Sequence, residues 1–255
     1  MKHHNINHIG LAFAALMIAA NAPAQAPSAA ATTQATPTAP PAATRTAESA
    51  VTPKPFRVHR HKEFMERKTK GPIGLLFLGD SITDHWVRNG ASTWEKFAPH
   101  QPADFGVSGM RTEGLLWNIN NGELEGIHPK AVVVMIGINN ILQCPDDKPE
   151  WIAAAIQKVV ETVHAKIPDT KVLVMGILPG RWGHVNAPPR IEAVNQIISR
   201  LDDGSKTRFL DPGKSFLTPK GDVNRDLLPD RLHPNEKGYQ IWYDAMQPIL
   251  TEWLK

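Results

Sequence analysis

The chain has 255 residues and a mass of 28.1 kDa, with 42% hydrophobic and 21% charged residues, a net charge of +3 and a pI near 9.0. This composition excludes a mainly disordered, collagen-like or multi-span membrane protein and leaves room for one full-sized catalytic domain. The single cysteine, Cys144, excludes an intrachain disulfide and a cysteine-based zinc site, and the small, dispersed basic excess is no nucleic-acid footprint.

The first segment reads as an export label. A polar start with Lys2, His3 and His4 leads into an apolar run over residues 9–20, too short for a bilayer-spanning helix, which needs about 20 residues. Small residues follow, and Ala22-Pro23-Ala24 is an A-x-A-like cleavage sequence. Residues 1–24 are therefore expected to be a secretory signal peptide. The mature protein would be periplasmic or secreted, with no stable membrane span. Residues 25–55 are expected to be a disordered linker. Over residues 21–55 there are 12 Ala, 7 Pro and 7 Thr and no aromatic residue, too little apolar bulk to offset the entropy of ordering. The folded domain is then expected over residues 56–255.

Strand-like and helix-like segments alternate through that domain. Short apolar runs occur at residues 75–78, 104–107, 131–136, 172–178 and 208–210. They lack polar alternation, as expected of a parallel sheet covered on both faces. Between them, Ile152, Ile156, Val159, Val160 and Val163 recur at helical spacing, as do Ile191, Val194, Ile197, Ile198 and Leu201. Tyr239, Trp242, Met246, Ile249, Leu250 and Trp253 mark a last helix. This β-α-β-α order predicts a doubly wound α/β/α sandwich, whose ligands sit beyond the carboxyl ends of the strands.

The residues following those runs carry the chemistry. After the first stands Gly79-Asp80-Ser81, where a serine at a strand-to-helix turn combines an exposed hydroxyl with a helix N-terminus. Taken alone, Asp80 or Ser81 reads equally as a helix cap. After the second stands Ser108-Gly109, and after the third Gly137-Ile138-Asn139-Asn140, a turn or a source of an amide donor. Near the C-terminus, Asp230 precedes His233 by three residues, a spacing that lets a carboxylate fix an imidazole tautomer. The G-x-S-x-G elbow of α/β-hydrolases and the H-E-x-x-H zinc motif are both absent from the chain.

Together these segments resemble the SGNH (GDSL) hydrolase superfamily, and within it bacterial relatives of the catalytic subunits of platelet-activating-factor acetylhydrolase Ib. The likeness rests on residues 76–82, 104–109, 116–117, 121–125, 127–130, 137–140 and 230–233, and covers nearly all of residues 60–250. It implies a three-layer α/β/α sandwich with a five-stranded parallel sheet of flavodoxin-like type. It implies Ser81 as nucleophile, His233 as general base and Asp230 as its orienting acid. The backbone N–H groups of Ser81 and Gly109 and the amide of Asn139 are implied as the oxyanion hole. Many relatives carry Gly at 108, Asp at 110 and Thr at 138, where this chain has Ser108, Met110 and Ile138. Met110 and Ile138 are accordingly expected to line the substrate cleft, and Arg111, Arg181, Trp182 and His184, which follow strand ends, are expected to join them.

The chemistry expected is hydrolysis of short acyl esters, most naturally acetyl, on a small-molecule or glycan alcohol, with no metal or organic cofactor. A lipid acylhydrolase is the alternative. A non-catalytic surface-binding module would be marked by loss of Ser81, Asn139 or His233, and all three are present. The oligomeric state is open, a dimer included.

Overall fold

The computed structural model describes residues 45–181 and 185–255. Five strands form one all-parallel sheet: β1 (Leu75–Gly79), β2 (Pro102–Gly106), β3 (Ala131–Met135), β4 (Lys171–Met175) and β5 (Thr207–Leu210). Their spatial order is β2-β1-β3-β4-β5. Every residue of β1 and β3 is buried, so both faces of the central sheet are covered and no alternation was available to the sequence. Burying one such Val or Leu side chain contributes about 1.5–3 kcal/mol. β2 begins at Pro102, and an edge strand accommodates a residue that cannot donate to the ladder.

The helices, in chain order, are α1 (Ala47–Val51), α2 (Val58–Thr69), α3 (Ser81–Asp84), α4 (Trp86–Asn89), α5 (Ala91–Trp94), α6 (Thr112–Asn118), α7 (Ile138–Gln143), α8 (Pro149–Lys166), α9 (Ala187–Ile198) and α10 (Glu236–Trp253). Pro149 opens α8 where its missing N–H costs nothing, and the predicted stripe from Ile152 to Val163 is buried. α10 is capped by the Asn235 side chain, which accepts from Gly238 N–H at 3.2 Å. It buries Tyr239, Trp242, Met246, Leu250 and Trp253, and Tyr239 O–H reaches the Ile82 carbonyl at 2.6 Å. Trp86, Tyr239 and Trp242 pack together, with Trp86 ring centroids 4.4 and 4.9 Å from the other two.

The chain reverses direction across the sheet at β1: β2 lies on one side of it and β3, β4 and β5 on the other. The carboxyl ends of β1 and β3 flank this switch point, where the crevice of such sheets opens.

The expected linker is too long. Residues 45–55 are folded onto the domain. α1 is closed by a capping box between Thr46 and Ser49, and Ala50 is fully buried. Arg45 makes paired hydrogen bonds of 2.7 Å to Asp147 and one of 2.8 Å to Glu113. The anchor is one arginine and one small alanine, so an argument from aromatic and aliphatic content misses it. The signal peptide and residues 25–44 of the linker lie outside the described residues.

Candidate active site

The turn after β1 is built by steric exclusion. A Cβ on Gly79 would lie 2.1 Å from Thr83 Oγ1 and 2.3 Å from the Met135 carbonyl oxygen, so only glycine lets the chain leave the sheet here. Asp80 then caps α3 by accepting from Ile82 N–H at 3.0 Å, and Ser81 becomes the first residue of the helix. Its N–H lies in the first turn, where no preceding helical carbonyl can take it.

Ser81 Oγ is 2.8 Å from His233 Nε2, across 152 residues of sequence. His233 Nδ1 is 2.6 Å from Asp230 Oδ2. A carboxylate only accepts, so Nδ1 carries the proton and the Nε2 lone pair receives the Ser81 hydroxyl. The Asp230 loop is wound tightly to permit this. Asp230 Oδ1 accepts from Leu232 N–H at 3.0 Å and His233 N–H at 2.7 Å, and Arg231 takes a left-handed φ of 69°. Partial burial pushes the Asp230 carboxyl up, but the His233 ring and the two backbone N–H groups outweigh it and hold the group below the usual range.

Gly109 and Asn139 reach the same cleft. Gly109 has φ +83°, a conformation that favours glycine. Asn139, in the first turn of α7, donates through Nδ2 to the Met110 carbonyl at 2.9 Å and accepts through Oδ1 from Gln143 Nε2 at 3.0 Å. Those two bonds fix which way the amide faces and leave the second hydrogen of Nδ2 for a ligand. Ser108 Oγ donates to Asp84 Oδ2 at 2.6 Å, tying the glycine loop to α3.

The cleft has a volume of ≈ 490 Å³ and includes Ser81, Gly109, Asn139 and His233 in its lining. The expected cleft residues are placed differently. Met110 and Ile138 are buried beneath the site, because a large apolar side chain at a strand end gains more from the core than from the crevice. Arg111 turns away to Glu113, at 2.8 Å, and to Cys144. Arg181 lines a separate groove with Phe209 and Asp211. Trp182 and His184 lie outside the described residues. Cys144 is buried and its thiol is pushed up chiefly by burial, in keeping with a bystander.

Four cleft residues escaped the sequence reading, Gln143 beside Asn139 among them. Leu142 follows Asn139 by three positions on α7, and Arg57 comes from the segment before α2. His85 stands four residues after Ser81, and its ring centroid is 4.7 Å from that of His233. Burial, then the neighbouring His233 and Arg88, depress its pKa, which favours a neutral imidazole beside the base. The i, i+4 spacing from Ser81 was the available signal.

Among known proteins, residues 77–241 match the model of the GDSL-like Lipase/Acylhydrolase family. Platelet-activating factor acetylhydrolase IB subunit alpha1 of Homo sapiens is 31% identical over 197 residues, covering 76% of this chain and 82% of that protein. A GDSL-like lipase from Bacteroides thetaiotaomicron shares the fold with a TM-score of 0.65 at 20% identity, covering 75% of this chain and 97% of that one. An acetyl-xylooligosaccharide esterase from Geobacillus shares it with a TM-score of 0.54 at 18% identity, covering 70% and 95%. With the family model matched over most of the folded region, the chain belongs to the GDSL-like lipase/acylhydrolase family.

Proposed function

We propose that the protein is an exported serine esterase that removes short acyl groups, principally acetyl, from hydroxyl-bearing small molecules or carbohydrates. The observation that carries this reading is the unbroken relay Asp230–His233–Ser81, closed at 2.6 and 2.8 Å at the mouth of the cleft. Ser81 attacks the ester carbonyl as His233 Nε2 takes its proton, and Asp230 stabilises the imidazolium that forms. The negative charge on the tetrahedral oxygen is met by the N–H groups of Ser81 and Gly109 and by the remaining N–H of Asn139. His233 then gives its proton to the departing alcohol, and water repeats the sequence on acyl-Ser81. The acetyl assignment draws on the acetylhydrolase named among the relatives. The exported setting draws on the apolar run at residues 9–20.

The test is hydrolysis of p-nitrophenyl esters from acetate to palmitate by the full chain, with Ser81→Ala alongside. The expected result is a peak at acetate and a loss on the order of 10⁴–10⁶ in kcat for the variant. Acetate release from acetylated glycans then examines the acceptor. A rate that rises toward octanoyl or longer chains would replace this reading with a lipid acylhydrolase.

A further inference from the structure

The wall of the cleft contains a charge that the hydrolytic steps do not use. Residues 45–57 form a strap that runs from the outer helices to the site. It is pinned by Arg45 to Glu113 and Asp147, by Thr112 O–H to the Ala50 carbonyl at 2.9 Å, and by Lys54 N–H to the Glu113 carbonyl at 3.0 Å. At its end Phe56 lies against the glycine loop: a Cβ on Gly109 would sit 3.4 Å from the Phe56 ring. Arg57 follows and lines the cleft together with Ser81, Asn139 and His233.

Three features bear on Arg57. Its backbone is left-handed, φ 43° and ψ 56°, a conformation that costs a non-glycine residue about 1–2 kcal/mol and that Gly or Asn would fill more cheaply. Its guanidinium carbon stands 5.6 Å from the centroid of the Phe56 ring, which steadies the charge at the cleft wall. Arg57 is exposed and, like Arg181 and Arg231 but unlike Arg60 three residues on, forms no ion pair among the described residues, which leaves its guanidinium free for a ligand. The cleft lining contains no Asp or Glu, so Arg57, exposed at its edge, is the one permanently charged residue in that lining among the described residues.

We infer that Arg57 is a specificity-determining residue that recognises an anionic oxygen group, carboxylate or phosphate, on the alcohol portion of the ester. The inference rests on the short-acyl reading above, since an acetyl group has no room for a charge and the anion must belong to the leaving alcohol. A guanidinium offers paired N–H donors to either anion, and no carboxylate in the lining opposes it.

The test compares kcat/KM for phenyl acetate, 3-acetoxybenzoate and 3-acetoxyphenyl phosphate on the full chain and on Arg57→Gln, Arg57→Lys and Arg57→Glu. Dividing each variant by the wild type cancels the intrinsic reactivity of each ester. The expected result is a drop of about tenfold in the anionic-to-neutral ratio for Arg57→Gln, a smaller drop for Arg57→Lys, and a larger one for Arg57→Glu. The benzoate and phosphate arms show which anion is preferred. An unchanged ratio in Arg57→Gln, with esters still hydrolysed, overturns the inference and leaves the esterase reading intact. Calorimetric titration of Ser81→Ala with 3-acetoxybenzoate, with and without Arg57→Gln, supplies a readout free of turnover. Arg57-dependent binding by a chain whose wild type hydrolyses no ester would uphold anion recognition by Arg57 and overturn both the esterase reading and the placing of the anion on a leaving alcohol.

Discussion

Replacing Arg45 with alanine separates a folded strap from a loose tether. Arg45 makes three hydrogen bonds of 2.7–2.8 Å to Asp147 and Glu113, whose side chains are 0% and 4% exposed. Breaking a buried ion pair from one side costs about 3–5 kcal/mol, because the remaining charge is desolvated and unpaired. The Arg45 side chain is itself 20% exposed, so water softens the loss and the lower end, about 3 kcal/mol, is expected. For a domain of this size that lowers Tm by roughly 6–12 °C. The pH dependence has a definite sign. Burial pushes Glu113 up, and its bonds to Arg45 and Arg111 hold it below the usual range. Without Arg45 the native carboxyl takes up a proton more readily, so the penalty should shrink from pH 8 to pH 5. Adding Glu113→Gln to Arg45→Ala should recover part of the loss. Urea unfolding of the full chain at both pH values is the assay. A change within about 0.5 kcal/mol, typical of an unconstrained surface residue, would refute the folded strap.

Other substitutions probe the site and its frame. Asn139→Ala should lower kcat by about 10²–10³ with little change in KM, since its free N–H meets the oxygen only as charge develops; steady-state kinetics on p-nitrophenyl acetate reads this directly. Asp104 is pushed up to about 8, mainly by burial, with its Oδ2 sealed from water and unpartnered. The native state therefore holds a proton there that the unfolded chain has lost above about pH 4, so this group's contribution to stability declines as pH rises from about 4 to 8. Asp104→Asn should remove that slope and make the protein more stable than wild type at pH 9, on the order of 2–4 kcal/mol, with near parity at acid pH; a parallel pH series of denaturation curves checks it. Gly79→Ala should abolish soluble folded protein, because the added methyl meets the Met135 carbonyl oxygen of the neighbouring strand, and circular dichroism with gel filtration would show it.

The sheet was legible because its signal is redundant. β3, expected over 131–136, is Ala131–Met135, and the run expected over 172–178 yields Lys171–Met175. Its last residues continue into a buried loop held by Asn195, which bonds both Ile177 N–H and Ile177 C=O. Hydrophobicity reports burial, and a buried loop after a strand is as apolar as the strand. Ser81, Asn139 and His233 were legible because each follows a strand end or a tight local spacing. Met110 and Ile138 were misplaced for a related reason: proximity in sequence to Gly109 and Asn139 says nothing about which side of the turn a side chain takes. Arg57 reaches the cleft only through tertiary placement, whereas His85 left a local trace in its spacing from Ser81. The strap was missed because its attachment is an arginine reaching two distant carboxylates, 68 and 102 residues away, which leaves no periodic trace.

The 152-residue separation of Ser81 from His233 also has a kinetic meaning. As the chain emerges from the ribosome, β1 and the serine turn appear early, whereas the base arrives just before α10. Tyr239 on that helix bonds the Ile82 carbonyl, which ties the docked C-terminal helix to the turn that carries Ser81. A nascent chain that has not yet reached His233 lacks the base, however much of its sheet has formed. In a refolding experiment, ester hydrolysis should lag behind secondary structure and act as a clock for the last long-range closure.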